Sequence, residues 1–310
     1  MSDGTPKRAR RAEEVGSVGF FAHAKQTRRW SFPVSARLVA SLTLESPAFA
    51  ARAQARFRET EKRAMDRVAH RVPNTPPGTT AYLLRDWCTS SEEEYLLGRV
   101  YHGETSSKKK WTEVSGRRLQ NLGGVVHKKG LIPTPVPEWL AAQMAKVRAS
   151  AGDLLPAPIN HVLVNEYQPG DGILPHQDGD AYDPAVAIVS LGCDAVMRFA
   201  PHRDDAAEAA EGTAAAPRDA ETNTKSAARA FGVLLPRRSL LVFDGALYER
   251  YMHGIDAVRE DVIDATVANR GDFPERAARG APWRVRRDCV RVSMTFRRAR
   301  VVREALRLFG

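Results

Sequence analysis

Three cysteines are few for 310 residues, and Cys88, Cys193 and Cys289 include no CxxC pair. An odd, scattered set of thiols argues against a disulfide framework and against a zinc ribbon, and fits a reducing compartment. No uninterrupted apolar run approaches the ~20 residues that a bilayer-spanning helix needs, so the chain reads as soluble, with no membrane partner. No block of sequence repeats, which excludes solenoids and propellers. Acid is also short: 47 Lys and Arg against 37 Asp and Glu leave a formal charge of +10. That excess suggests a polyanionic partner, nucleic acid first and an anionic membrane surface second. The plain alternative is an Arg-rich composition without functional meaning, since part of the excess lies in the N-terminal tail.

Along the chain, residues 1–72 are rich in Ala and Arg and show no strand pattern, so they read as a basic, disordered, partly helical leader. Lys7-Arg8-Ala9-Arg10-Arg11 could serve as a nuclear-import patch, which would place the chain in nucleus and cytoplasm. Residues 15–44 contain no acid and resemble an organellar transit segment, although Asp3, Glu13 and Glu14 speak against one. Residues 73–158 should hold the first helices. Ser91-Glu92-Glu93-Glu94 reads as a capping box, with Tyr95, Leu96 and Val100 on the buried face. A second helix is expected after Pro137, with Leu140, Met144 and Val147 inward, ending at Gly152. Between the two lies a basic loop or hairpin, 108–124, carrying one tryptophan. From Ile159 to about 300, short β-type runs separated by Pro and Gly suggest a mainly β core with flanking helices, a sandwich or jelly roll. Two stretches interrupt it: a low-complexity insertion at about 203–229 and a polar excursion at about 256–282. The end, 301–310, reads as a short C-terminal helix, and the whole as a monomer.

Within that core, His176 and Asp178 stand two apart in a Pro- and Gly-punctuated extended segment, so both can face one ion. His253, in Met252-His253-Gly254-Ile255, is the best third donor; His161 and His202 look more like ordinary core or surface histidines. Two imidazoles and a carboxylate on one face of an octahedron leave open positions, the pattern of non-haem Fe(II) oxygenases, with Zn²⁺ as the runner-up metal. Near the end, Arg291, Ser293, Thr295 and Arg297 share one strand face. Guanidiniums presented in this way can clamp a carboxylate through paired N–H donors, and a dicarboxylic keto acid fits: one end on iron, the other on arginine. Asn165 and Tyr167 project together and could donate to the same acid. The alternative is that Arg291 and Arg297 are surface charges on an edge strand.

These blocks carry a family resemblance. The run from Asn165 to Asp178, the His-Gly-Ile at His253, the Arg-x-Ser-x-Thr-x-Arg strand and the Leu235–Gly245 block resemble the AlkB group of Fe(II)/2-oxoglutarate dioxygenases. Residues 111–121 and 189–192 resemble its homologue 6 subgroup in particular. The likeness covers roughly 73 to the C-terminus. It implies a double-stranded β-helix core with His176, Asp178 and His253 on Fe(II), and Asn165, Tyr167, Arg291, Arg297 and Ser293 around 2-oxoglutarate. It also implies O₂ as oxidant, succinate and CO₂ as products, and hydroxylation of a substrate C–H bond. On an N-methylated DNA or RNA base, that hydroxylation releases formaldehyde. Many relatives have Asn where this chain has Ser293, so that side of the pocket should be looser or differently bonded.

Substrate contacts are expected from the basic segment, which in the family covers the site as a recognition lid: Lys110, Trp111 and Arg117 could groove a strand and stack its bases. Asp180 and Tyr182 follow the metal motif, and Asp180 could accept from an exocyclic amine. Two other functions compete: hydroxylation or demethylation of a protein side chain by the same iron site, and a nucleic-acid-binding protein whose site is vestigial.

Overall fold

The computed structural model describes residues 65–103, 111–202, 229–277 and 282–303. The leader up to residue 64, Lys110, most of the 203–229 insertion and residues 304–310 of the expected C-terminal helix lie outside the described residues.

Order begins with a single helical turn, α1 (Arg67–His70), and the first strand, β1 (Ala81–Leu84), where the apolar run Ala81-Tyr82-Leu83-Leu84 places it. Helix α2 (Ser90–His102) is capped two residues earlier than expected. The Thr89 hydroxyl accepts from the Glu92 N–H while Glu92 reaches back to the Thr89 N–H. Next come β2 (Thr112–Val114), β3 (Arg117–Leu122), β4 (Gly124–His127) and β5 (Gly130–Pro133), two successive hairpins. Helix α3 (Glu138–Ala151) starts after Pro137 and stops at Gly152, whose φ of 60° ends the helix in the left-handed region. Strands β6 (His161–Tyr167), β7 (Ile173–His176), β8 (Ala185–Leu191), β9 (Ala195–Pro201), β10 (Phe231–Leu235) and β11 (Ser239–Asp244) follow. The short helix α4 (Gly245–Glu249) leads into β12 (Tyr251–Ile255) and β13 (Glu260–Ile263), then α5 (Pro274–Ala277), β14 (Trp283–Arg286) and β15 (Arg291–Arg297).

The strands form an antiparallel seven-stranded sheet, β1-β11-β8-β15-β6-β3-β2, an antiparallel four-stranded sheet, β10-β9-β12-β7, and two two-stranded sheets, β4-β5 and β13-β14. Both faces of the large sheet are covered, which explains why its central strands read as nearly continuous apolar runs. On one face Val162, Val164, Val189, Met294 and Phe296 meet Leu96 and Val100 of α2 and Leu140, Met144 and Val147 of α3. On the other, Val186, Ile188, Leu241 and Phe243 meet Met197, Phe199, Val233 and Tyr251 of the small sheet.

The expected closed jelly roll is not what forms. β1 and β2 are the edges of the larger sheet and β10 and β7 those of the smaller, and among the described residues no ladder joins either pair. The fold is a mixed α/β one with several antiparallel sheets, none closed into a barrel. Alternation along a strand fixes which face is buried. Closure depends instead on ladder bonds between edge strands, and the sequence pattern carries no signal for those.

One further expectation is corrected. Cys193 and Cys289, 96 residues apart, are disulfide-bonded, while Cys88 is free and buried. Strands β8 and β15 are neighbours in the register Leu191↔Val292, so the turn after one meets the segment entering the other. Gly192 in that turn has φ +82°, and a Cβ there would stand 2.3 Å from the Val290 carbonyl, so only glycine lets the two segments approach. The polar excursion 256–282 carries elements of its own. Its described part holds β13, α5 and a small core of Ile263, Val267 and Phe273, closed by Trp283 and Val285 of β14. Arg287 donates twice to the buried Asp261, and the Val196 N–H donates to it as well. Among the described residues no helix is long and apolar enough to cross a membrane.

Candidate metal and co-substrate site

The site lies between the two sheets, in a cavity of about 1040 Å³ lined by both. Its metal-binding end follows from strand register. β12 pairs antiparallel with β7 so that His253 stands directly opposite His176, and the two imidazole centroids are 4.5 Å apart. β7 ends at His176, so Asp178 sits just past it and owes its position to Arg297, which donates to its Oδ1. One donor atom from each of His176, Asp178 and His253 lies within 4.8 Å of the others.

Each of the three is prepared as a ligand by its surroundings. His176 Nδ1 is 2.9 Å from the Leu174 carbonyl, which can only accept, so Nδ1 carries the proton and Nε2 is left with its lone pair. His253 is buried against Phe199 and Phe243, and burial holds its pKa down at about 4, with Asp178 opposing and His176 and Arg297 adding to the depression. It is therefore a neutral imidazole at pH 7. Asp178 Oδ2 is buried and accepts no hydrogen bond, an acceptor that a cation would satisfy. This donor set fits Fe(II), and the same chemistry would accept Zn²⁺.

The other end of the cavity is built by β15 and β6. Arg291, Ser293, Thr295 and Arg297 all line it from β15, and Asn165 and Tyr167 line it from β6, where Asn165 pairs with Ser293 and Tyr167 with Arg291. The Arg291 guanidinium is only 3% exposed; it donates to Ser190 Oγ at 2.9 Å, while its Nε has no acceptor. Burial pushes the Tyr167 phenol up, so it stays a neutral donor, hydrogen-bonded with Ser293. A buried cation with an open N–H beside neutral donors is a receptor for a carboxylate. Arg291 and Arg297 are thus interior groups, not edge-strand surface charges.

The expected substrate residues divide. Tyr182 lines the cavity, but its hydroxyl is 3.3 Å from His161 Nδ1 and its ring lies 4.0 Å below the Arg297 guanidinium. Arg117 lines it too, yet its Nε donates to Asn165 Oδ1. Asp180 is exposed and is not among the lining residues, so it does not reach a guest there. Trp111 is packed between Tyr101 and the Arg118 guanidinium, and its ring is not free to stack on a base. Ser190 and the rim residues Val114, Val125 and Leu174 were not anticipated. Ser190 reaches the site because it stands across from Ser293 in the β8–β15 ladder, a pairing that the sequence does not show.

His161 is not a ligand but a buried wall. Its Nε2–H donates to Asn121 Oδ1 at 3.1 Å and its Nδ1 accepts from Tyr182. Burial first, then the Arg297 charge, lower its pKa to about 3 against an ordinary 6.5. Between those values the unfolded chain binds the proton and the folded one does not, so stability falls as pH drops through that window. At pH 5 the loss is about 2 kcal/mol at ~1.36 kcal/mol per pH unit below 6.5. Urea unfolding at pH 7.5 and 5 should show that much more destabilisation in the wild type than in His161→Gln; equal losses would rule out this role.

Comparison with known proteins bears on this arrangement. Residues 80–297 match the profile of the 2OG-Fe(II) oxygenase superfamily. A Danio rerio protein named Probable RNA/DNA demethylase ALKBH6 is 38% identical over 208 residues, covering 67% of this chain and 82% of that one. A Xenopus tropicalis protein, tRNA (carboxymethyluridine(34)-5-O)-methyltransferase alkbh8, is 24% identical over 237 residues, with 74% of this chain matched and 32% of that protein spanned. A solved structure of OsALKBH1 aligns with 70% of this chain and 96% of its own at 17% identity, with a TM-score of 0.44.

Proposed function

We propose, since the chain belongs to the 2OG-Fe(II) oxygenase superfamily and is an oxidoreductase related to AlkB and ALKBH6, that it oxidatively demethylates alkylated bases of DNA or RNA. The observation that carries this reading is a single cavity whose buried groups lack partners: Asp178 Oδ2 at one end, with Arg297 Nε on the residue that holds it, and Arg291 Nε at the other. A metal answers Asp178 and a carboxylate Arg291, and 2-oxoglutarate is a molecule that joins the two. At about 1040 Å³ the cavity has room for a co-substrate and a planar base together.

His176, Asp178 and His253 would hold the iron. Fe(II), when bound, supplies the activation of O₂ that couples oxidation of 2-oxoglutarate to succinate and CO₂ with hydroxylation of a substrate C–H bond. Arg291, with Asn165, Tyr167 and Ser293 beside it, would bind the distal carboxylate of the acid and fix its orientation. Arg297 donates to Asp178 Oδ1 and would hold that carboxylate in place beside the ion. Ile188 and Met197 on facing sheets exclude water from the space between. A base bearing a hydroxylated N-methyl group is a hemiaminal, which loses formaldehyde and regains its N–H.

The competing reading, action on a protein side chain, draws on the rim. Leu174 is 84% exposed and Val114 and Val125 stand open beside it, whereas the aromatic lining residues Tyr167 and Tyr182 are buried. Mass spectrometry after incubating the iron-loaded chain with 2-oxoglutarate and pools of methylated DNA, RNA and peptide separates the two. The expected result is loss of methyl groups from nucleosides with formaldehyde released. Turnover confined to peptide would overturn the nucleic-acid reading.

A further inference from the structure

Of the basic residues near the expected groove, Lys110 lies outside the described residues, and Arg117 and Arg118 have internal partners. Arg118 makes two hydrogen bonds to the buried Glu166, at 2.8 and 2.9 Å, and lies over Trp111; Arg117 is engaged with Asn165. A different basic surface stands at the mouth of the cavity. Residues 114–137 contain no Asp or Glu at all. Within them, β4 contributes Val125 and Val126 to the cavity wall and then turns through His127, Lys128 and Lys129, all three exposed, into β5. At about 3.3 Å per residue, Lys129 stands within roughly 10 Å of that wall.

This hairpin is firmly held. The Leu131 N–H donates to the Val301 carbonyl and the Arg303 N–H to the Leu131 carbonyl, both at 2.8 Å. Gly130, at φ +120°, packs so closely that a Cβ would stand 2.6 Å from the Val301 carbonyl. The exposed Arg303 is thereby fixed beside the turn, and its Nε donates to the Lys129 carbonyl. Beneath, Leu131 and Val126 pack on Tyr182 and Ala299, and Tyr182 is the residue that lies under Arg297 in the site. In the neighbouring segment Asp183 pairs with Arg298 and Arg300. Among the described residues no carboxylate pairs with Lys128, Lys129 or Arg303.

We propose that the β4–β5 hairpin tip, with Lys128 and Lys129 beside Arg303, binds the phosphate backbone of a single nucleic-acid strand whose target base enters the adjoining cavity. The proposal rests on the nucleic-acid reading above and gives it a direction: the strand runs along the β4–β5 side of the mouth, not across Trp111. The apolar rim of Val125 and Leu174 then meets sugars and base faces, while the lysines meet phosphate.

Fluorescence anisotropy of a short labelled, unmodified single strand, titrated with the full chain across a salt series, tests this directly. For Lys128→Ala/Lys129→Ala the dependence of log affinity on log salt should flatten by about 1.4, from ~0.7 per lost phosphate contact on a single strand. Lys128→Glu/Lys129→Glu should bind more than tenfold more weakly. Succinate formed without substrate, which needs no strand, should be unchanged in both and shows that the variants are folded. Wild-type affinity and slope in the charge-reversed chain would overturn the arm, as would selective binding of phosphatidylserine vesicles over the oligonucleotide. If binding behaves as expected but no methylated strand is ever turned over, the arm stands and the demethylase reading falls.

Discussion

Asp178→Ala is expected to abolish succinate formation, by roughly a thousandfold or more, and to destabilise the metal-free protein at the same time. The first effect follows from removing the one anionic donor of the triad; a thousandfold is about 4 kcal/mol at ~1.36 kcal/mol per decade. The second follows from the partner left behind. Arg297 is 5% exposed and its Nη1 is held by Asp178, so the substitution strands a buried guanidinium. Breaking a buried pair from one side costs about 3–5 kcal/mol. His176→Ala separates the two consequences. It removes a metal donor that is only half-buried and leaves the Asp178–Arg297 pair intact. Its iron content and turnover should therefore fall like those of Asp178→Ala, while its apo stability in urea stays within about 1 kcal/mol of wild type, as for substitutions away from buried networks. Equal destabilisation of the two variants would show that the Arg297 pairing is not what holds Asp178.

Arg291→Lys should bind iron normally and lose 2-oxoglutarate. The side chain is buried with one N–H on Ser190 Oγ and another open to the cavity, so a carboxylate can meet two donors in one plane. A lysine ammonium reaches the same region as a point charge without that fork. Losing one charge-assisted hydrogen bond, about 1.5–3 kcal/mol, should lower kcat/KM for 2-oxoglutarate by about ten- to a hundredfold at ~1.36 kcal/mol per decade. The change should appear in KM, because the distal carboxylate is held alike before and during reaction. A drop confined to kcat would place Arg291 elsewhere in the mechanism.

What was legible in the chain was local. His176 and Asp178 are two residues apart, and Arg291, Ser293 and Arg297 alternate on one strand, so spacing alone puts each group on a common face. The helix after Pro137 ends at Gly152 because a left-handed residue stops it there, and that signal is written in the sequence. What was not legible depends on which strands become neighbours. His253 was named as third donor from its own motif, but its place opposite His176 comes from the β12–β7 register, and Cys193 meets Cys289 only because β8 borders β15. Sheet closure is of the same kind, and the jelly-roll expectation went beyond what alternation can carry. Asp180, Trp111 and Arg117 were nominated by charge and proximity in sequence. Packing exposes the first outside the cavity and gives the other two internal partners, with Arg117 still lining the cavity. The basic tip of β4–β5 was overlooked because its lysines look like an ordinary solvated turn until Val125 and Val126 are seen in the cavity wall.

Titrating 2-oxoglutarate into the Fe(II)-loaded chain without oxygen, and following visible absorption, asks most directly whether metal and keto acid share this cavity. A charge-transfer band should grow in and saturate at one keto acid per chain. It should be absent in Asp178→Ala and need a higher concentration in Arg291→Lys. Iron bound in stoichiometric amount with no band on adding the acid, or an undiminished band in Asp178→Ala, would contradict the site described.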